Sequence, residues 1–338
     1  MDPVIPGTFI QKSHGHRMGF MEKAFHSRNS LRFMSIMLTV NIVYLQAGKP
    51  GEVVAVLKDA IDVGFRHIDG AMYYENEAEV GSAIRDKINE GLIKREDLFV
   101  TSKLWNNFHR PDLVVSTCKK SLSDLGLDYV DLYLIHWPFA VKEGDIFDPV
   151  DEEGKLIPND VDYVDTWKAM EECVKLGLAK SIGLSNFNSQ QIQRVLDVAT
   201  IKPVVNQVEC HPYLNQSKLL DFCKERGILL TAYSPLGSPG ILAKPDTPAP
   251  LKDPRIAEVA KKHGKTVAQT ILRYMIQHGV VPIPKSSNKQ RLEENFNIFG
   301  FKLTPEEVAY IDSVNKNFRI FLFDKASNHK DYPFNIEF

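Results

Sequence analysis

A chain of 338 residues, 43% hydrophobic and 25% charged, can bury one large core or two small ones and has the composition of an ordinary globular protein. Its 41 basic and 43 acidic side chains leave a formal net charge of −2, which excludes a strong electrostatic attraction to nucleic acid or to an anionic membrane. Cys118, Cys173, Cys210 and Cys223 form no C-x-x-C pair and no Cys/His cluster with zinc-ligand spacing, so reduced thiols in the cytosol and no metal site are expected.

The opening MDPVIPGTF is neither basic nor continuously apolar, unlike a secretory signal. Residues 1–34 carry Lys12, Arg17, Lys23, Arg28 and Arg32 against few acids and read as a leader without fixed structure, with a transit peptide as the alternative. The apolar run Ser35–Tyr44 is too short to span a bilayer; it is either part of that leader or the first strand of a domain covering 35–338.

From there two kinds of segment alternate. Short apolar or β-branched runs occur at Phe65–Asp69, Leu98–Ser102, Val130–His136, Ser181–Leu184, Val204–Val208, Leu229–Tyr233 and Val280–Ile283. Amphipathic helical patterns fall between them, at Glu52–Val63, Glu77–Ile88, Pro111–Leu125, Val164–Leu176, Ser189–Val198, Gln216–Arg226 and Val267–His278. Gly64, Gly126, Gly177, Gly227 and Gly279 stand at or just past helix ends as stop signals. Alternating strands and helices with apolar strands predict a parallel sheet covered by helices. Seven strands, with Ser35–Tyr44 as the candidate eighth, favour a closed (β/α)8 TIM barrel. A doubly wound open sheet competes, but its dinucleotide-binding form needs a G-x-G-x-x-G turn, and none occurs. The Pro-, Gly- and Asp-rich insertions Phe139–Asp162 and Gly237–Asp253 follow strands and are expected to lie over the catalytic face.

Barrel enzymes place their chemistry at the C-terminal ends of strands. Asp69, Lys103 and His136 close three successive strand-like runs, and Tyr74 sits in the loop after the first. A phenol gives up its proton only near pH 10 unless a neighbouring ammonium favours the phenolate. Lys103 can supply that charge, Asp69 can fix Lys103, and a neutral His136 can donate a hydrogen bond to a carbonyl oxygen. Taken singly, each has a structural reading: a turn-forming Asp, a solvated Lys, a core His, a Tyr covering a rim. Their coincidence at successive strand ends is what points to carbonyl reduction. None of these groups can deliver hydride, so a cofactor is required. After the last strand, IPKSSNKQRLEEN places Lys285, Ser286 and Arg291 at a loop mouth and helix start, suited either to phosphate or to simple helix capping.

The segments FRHIDGAMYYENEAEVG, TSKLW, DLYLIHWP, SIGLSNF, NQVECHPY, AYSPLGSP and IPKSS resemble the aldo-keto reductase superfamily, and most of all its aldose and aldehyde reductase branch, from about Gly51 to the end. That resemblance implies a (β/α)8 barrel that binds NADPH/NADP+ without a Rossmann domain and reduces aldehydes and some ketones. By motif, Tyr74 matches the proton donor, Asp69 and Lys103 the pair that tunes it, and His136 the histidine that orients substrate and marks carbonyl reduction. Ser185, Asn186 and Gln207 match contacts to the nicotinamide carboxamide, and Tyr233 the ring stacked on it. Ser234, Leu236 and Ser238 match the loop over the pyrophosphate. Lys285, Ser286, Arg291, Glu294 and Asn295 match contacts to the adenosine and its 2'-phosphate. Trp137 and Phe147 are the expected walls of the substrate pocket, and the tail segment RIFLFDKASN predicts one apolar rim.

One departure stands out. Where the family has G-x-G-T-[WF], this chain reads IVYLQAGKPG, in which the glycines that let backbone approach a cofactor closely, the threonine and the aromatic are missing from their expected positions. This leaves a second functional reading, a cofactor-binding or regulatory barrel with little catalysis. A cytosolic monomer acting on a small-molecule carbonyl is the expectation for the first.

Overall fold

The computed structural model describes residues 42–44, 51–240 and 248–338. The leader, the transit-peptide alternative and most of the Ser35–Tyr44 run lie outside the described residues, as do residues 45–50 of the divergent segment.

Eight parallel strands follow one another in chain order around a single sheet: β1 Ile42–Tyr44, β2 His67–Asp69, β3 Phe99–Leu104, β4 Leu132–Ile135, β5 Ile182–Ser185, β6 Val205–Glu209, β7 Leu229–Tyr233 and β8 Val281–Ile283. β1 pairs with β2 in the register Ile42 to His67 and Tyr44 to Asp69, and its Cα atoms come within 8 Å of those of β8, so the sheet curls into a (β/α)8 barrel. The first strand is thus the last three residues of the apolar run.

The helices are α1 Glu52–Val63, α2 Glu77–Asn89, α3 Pro111–Leu125, α4 Tyr163–Lys175, α5 Ser189–Val198, α6 Ser217–Glu225, α7 Pro254–Lys262, α8 Val267–His278, α9 Lys289–Phe296 and α10 Pro305–Asp312. The sequence pattern locates α1 through α6 and α8 to within a residue or so. It misses α7 and α10 as separate helices. Both begin with Pro behind a capping Asp253 or Thr304, a start signal rather than a long apolar stripe. Gly64, Gly126 and Gly279 cap α1, α3 and α8 in the left-handed region, where a side chain is strained.

Strand alternation sorts side chains into two cores. Val100, Leu104, Tyr133, Ile135, Leu184 and Leu230 point outward and pack with the helices. Phe99, Leu132, Leu134, Val205, Leu229, Val281 and Ile283 fill the barrel's interior. On β3, Phe99, Thr101 and Lys103 share the inward face; Thr101 Oγ1 lies 3.0 Å from His67 Nε2. The interior therefore changes from apolar to polar as the strands approach their C-terminal ends. The described parts of both long insertions lie at that end: Trp105 Nε1 donates to Phe147 O at 2.8 Å, and Ser238 and Leu251 line the cleft there.

Gly183 on β5 has no room for a side chain. A Cβ there would sit 2.8 Å from both Leu134 Cδ2 and Val205 O. Gly183→Ala should destabilise the fold by about 1–3 kcal/mol, through overpacking against a backbone oxygen that cannot move aside. Thermal unfolding of the variant checks this, and a melting temperature at or above the wild type's would contradict it.

Candidate active site

The polar layer at the barrel mouth is built on one ion pair. Lys103 Nζ donates to Asp69 Oδ1 at 2.5 Å and to Gly70 O at 2.8 Å, with the two side chains 0% and 1% exposed. Asp69 Oδ2 accepts from Gln207 Nε2 at 2.8 Å, a bond that crosses the barrel from β6 to β2. Burial pulls the Lys103 pKa down, and Asp69 works against that shift. Above the pair lies Tyr74, in a short turn after β2, with Lys103 Nζ 5.1 Å from its ring centroid.

Beside this pair runs a second network. Ser185 Oγ donates to Gln207 O at 2.9 Å; Asn186 Nδ2 donates to His136 O at 3.0 Å and to Ser185 Oγ at 3.2 Å; Tyr233 OH donates to Asn186 Oδ1 at 2.9 Å. Asn186 takes φ +62°, a left-handed conformation that asparagine tolerates and most residues do not. Side chains from the ends of β5, β6 and β7 are thereby fixed at the mouth before any ligand arrives.

His136 follows β4 and closes the site on the other side, its ring centroid 5.8 Å from that of Tyr74 and nearly perpendicular to it. Burial, then the nearby Lys103 charge and His109, hold its pKa well below the usual histidine value, so the ring is neutral near pH 7. Its Nδ1 is buried without a hydrogen-bond partner among the described residues, and the residue lines the cleft.

Tyr74 and His136 open into a cleft of about 1070 Å³. Of the residues singled out in the sequence, Asn186, Gln207, Tyr233, Ser234, Leu236, Ser238, Lys285, Ser286, Arg291, Glu294, Asn295 and Trp137 line it. Ser185 is tied into the network behind the wall. Asp69 and Lys103 lie beneath the floor. Phe147 stands one layer back, its ring 5.8 Å from that of Tyr73. At the far end Asn288 Oδ1 caps α9 by accepting from Arg291 N at 3.0 Å, while Lys285 and Arg291 remain exposed, so capping and exposed basic charge coexist there.

Sequence reasoning passed over Tyr73 and Trp105, and did not single out Phe321 and Phe323 within the tail segment; all four also line the cleft. Trp105 had a usable signal: two residues beyond Lys103, it continues the inward face of β3. The tail residues gave only an apolar rim, and Ile320, Phe321, Leu322 and Phe323 do form one. Phe323 holds φ +52°, unusual for a bulky residue, with its ring centroid 5.1 Å from that of Trp137.

A family model described as "Aldo/keto reductase family" matches residues 44–316. The chain belongs to the aldo/keto reductase family. This aldo/keto reductase is 53% identical over 285 residues to "Aldo-keto reductase family 1 member C15" of Rattus norvegicus, covering 83% of this chain and 88% of that one. It is 54% identical over 285 residues to "Prostaglandin-E(2) 9-reductase" of Oryctolagus cuniculus, with the same shares of 83% and 88%. Among solved structures, the aldose reductase of Schistosoma japonicum superposes with a TM-score of 0.84 at 43% identity, over 88% of this chain and 96% of that one. The reductase is an oxidoreductase that converts aldehydes and ketones to alcohols, and these similarities favour that reading over a barrel with little catalysis. Among the described residues no helix is long and apolar enough to cross a membrane.

The buried histidines also make the fold acid-sensitive. Burial pushes His67 and His109 down to about 3 from 6.5, and His136 moves the same way. Below about pH 6.5 the unfolded chain takes up protons that the folded chain refuses, so stability falls as pH drops toward 3, by roughly 1.4 kcal/mol per pH unit per histidine. Urea midpoints should therefore decline steadily from pH 6.5 to 4.5, with a shallower decline in His109→Asn. A pH-independent midpoint over that range would contradict the account.

Proposed function

We propose that this reductase uses NADPH, with Tyr74 as proton donor, Asp69 and Lys103 supporting it, and His136 orienting the substrate carbonyl. One observation carries the reading: a phenol and a neutral imidazole face one cleft, and a buried ammonium lies 5.1 Å from the phenol ring. The donor set suits the cofactor. Asn186 and Gln207 offer amide groups at the floor, Tyr233 offers a ring face, and Lys285 and Arg291 offer exposed cations near the start of α9, where backbone N–H groups also favour anions. When bound, the nicotinamide ring supplies hydride to the carbonyl carbon.

The chain's own residues perform the rest. His136 donates through Nε2 to the carbonyl oxygen and holds it beside Tyr74. As negative charge develops on that oxygen, the Tyr74 hydroxyl gives up its proton to it, and the alcohol forms. The phenolate left behind is stabilised by the Lys103 ammonium, which Asp69 and Gly70 O keep in place. Trp137, Trp105 and the tail's Phe321 and Phe323 exclude water from the apolar part of the substrate. We take the substrate to be a small apolar carbonyl compound and the working state to be a cytosolic monomer. The basal composition, near-neutral charge and buried free cysteines support that setting.

Tyr74→Phe should lower kcat by roughly 10²- to 10⁴-fold, the usual worth of a positioned proton donor, while NADPH still quenches intrinsic fluorescence with near wild-type affinity. Near-normal turnover in that variant would remove Tyr74 from its role. Exchanging Lys285 and Arg291 for Met should weaken NADPH at least about tenfold and change NADH under about threefold, since each charge-assisted bond is worth about 1.5–3 kcal/mol. Equal weakening of both dinucleotides in fluorescence titrations would place the 2'-phosphate elsewhere.

A further inference from the structure

Two adjacent tyrosines follow β2, and only Tyr74 has been given a role. Tyr73 is turned the other way. Its hydroxyl donates to Asp148 Oδ2 at 2.9 Å, on the loop that joins β4 to α4. Its ring lies flat on Trp105, with centroids 3.7 Å apart and planes 17° from parallel. Trp105 in turn meets His136 edge-on at 4.9 Å and donates through Nε1 to Phe147 O at 2.8 Å. The Phe147–Asp148 dipeptide is thus held twice, by its backbone carbonyl to Trp105 and by its carboxylate to Tyr73. Both holding rings line the cleft.

This arrangement is more than cover for a rim. A half-buried carboxylate beside aromatic rings is costly unless bonded, and burial does push the Asp148 pKa up. Burial and Asp148 also raise the Tyr73 pKa, which keeps this phenol a hydrogen-bond donor and unsuited to proton transfer. Breaking the bond would therefore leave this step of the loop tied to the strand end only through Trp105 and let the Tyr73–Trp105 stack tilt against His136.

We infer that the Tyr73–Asp148 hydrogen bond is a specificity-determining clasp, which holds a flat aromatic wall beside the reacting carbonyl and favours planar aromatic aldehydes over small aliphatic ones. The inference rests on the carbonyl-reducing reading above. Tyr73→Phe keeps the stack and removes the donor; Asp148→Ala removes the acceptor; Asp148→Asn retains an acceptor oxygen. Steady-state kinetics with NADPH are measured for 4-nitrobenzaldehyde and for propanal.

In Tyr73→Phe and in Asp148→Ala, KM for 4-nitrobenzaldehyde should rise about fivefold, the worth of one ordinary hydrogen bond, and at least about three times as much as KM for propanal. The double variant should be no worse than either single one, because both remove the same bond, and Asp148→Asn should recover most of the loss. Additive effects in the double variant, equal shifts for the two aldehydes, or no shift would each overturn the clasp while leaving the reductase reading intact. A wild-type protein that oxidises NADPH with neither aldehyde would overturn both, whereas an active wild type whose clasp variants behave like it would overturn the clasp alone.

Discussion

The ion pair between Lys103 and Asp69 is the constraint on which the rest of the mouth depends. Removing two opposite charges from water costs several kcal/mol per ion, and such a pair survives only when its remaining hydrogen-bonding capacity is met. Here Gly70 O takes a second Lys103 proton, and Gln207 Nε2 supplies the other Asp69 oxygen. Asp69 and Lys103 come from the neighbouring strands β2 and β3, whereas Gln207 comes from β6 across the barrel and reaches the pair only because the sheet curls around. Closure of the barrel and satisfaction of the buried pair are therefore a single requirement. The apolar interior layer beneath, from Phe99 to Ile283, keeps water from relieving it from below.

The same residue type does different work on either side of this pair. Tyr74 faces an ammonium, which favours loss of its proton. Tyr73, one residue earlier, faces a carboxylate, which favours keeping it. The 3-10 turn after β2 sets successive side chains about a third of a turn apart, which separates the two hydroxyl groups. The tail adds a further layer: Ile320 N and Phe321 N donate to the buried Glu209 carboxylate at 2.7 and 2.9 Å, so the apolar rim is fastened to the end of a barrel strand.

Much of this was legible in the chain. Asp69, Lys103 and His136 could be placed at strand ends because each closes a β-branched or apolar run; that Lys103 lies inside came from the structure. The helices α1, α3, α5 and α8 could be bounded to the residue, since apolar spacing was strong and a glycine follows the end of α1, α3 and α8, while Asn188 caps the start of α5. α7 and α10 were not, because short helices opened by proline give little periodicity. Phe147 looked like a pocket wall by motif, yet Tyr73 stands in front of it; nothing local to either segment encodes that order. The first strand was ambiguous for a similar reason. Three residues, Ile42–Tyr44, are too few to show a pattern, and only their ladder with His67–Asp69 marks them as strand.

What the sequence determined unaided was the alternation of strands and helices, the chemistry available at each strand end and the type of reaction that chemistry permits. These depend on local spacing and on side-chain identity, which are written along the chain. What the tertiary structure alone decided was which of those groups face one another: that Gln207 reaches Asp69 across the barrel, that Tyr73 is clasped by Asp148, and that the tail folds back as an apolar rim. Such contacts join residues 75 to 138 positions apart and exist only once closure has brought distant strand ends and their loops to one mouth.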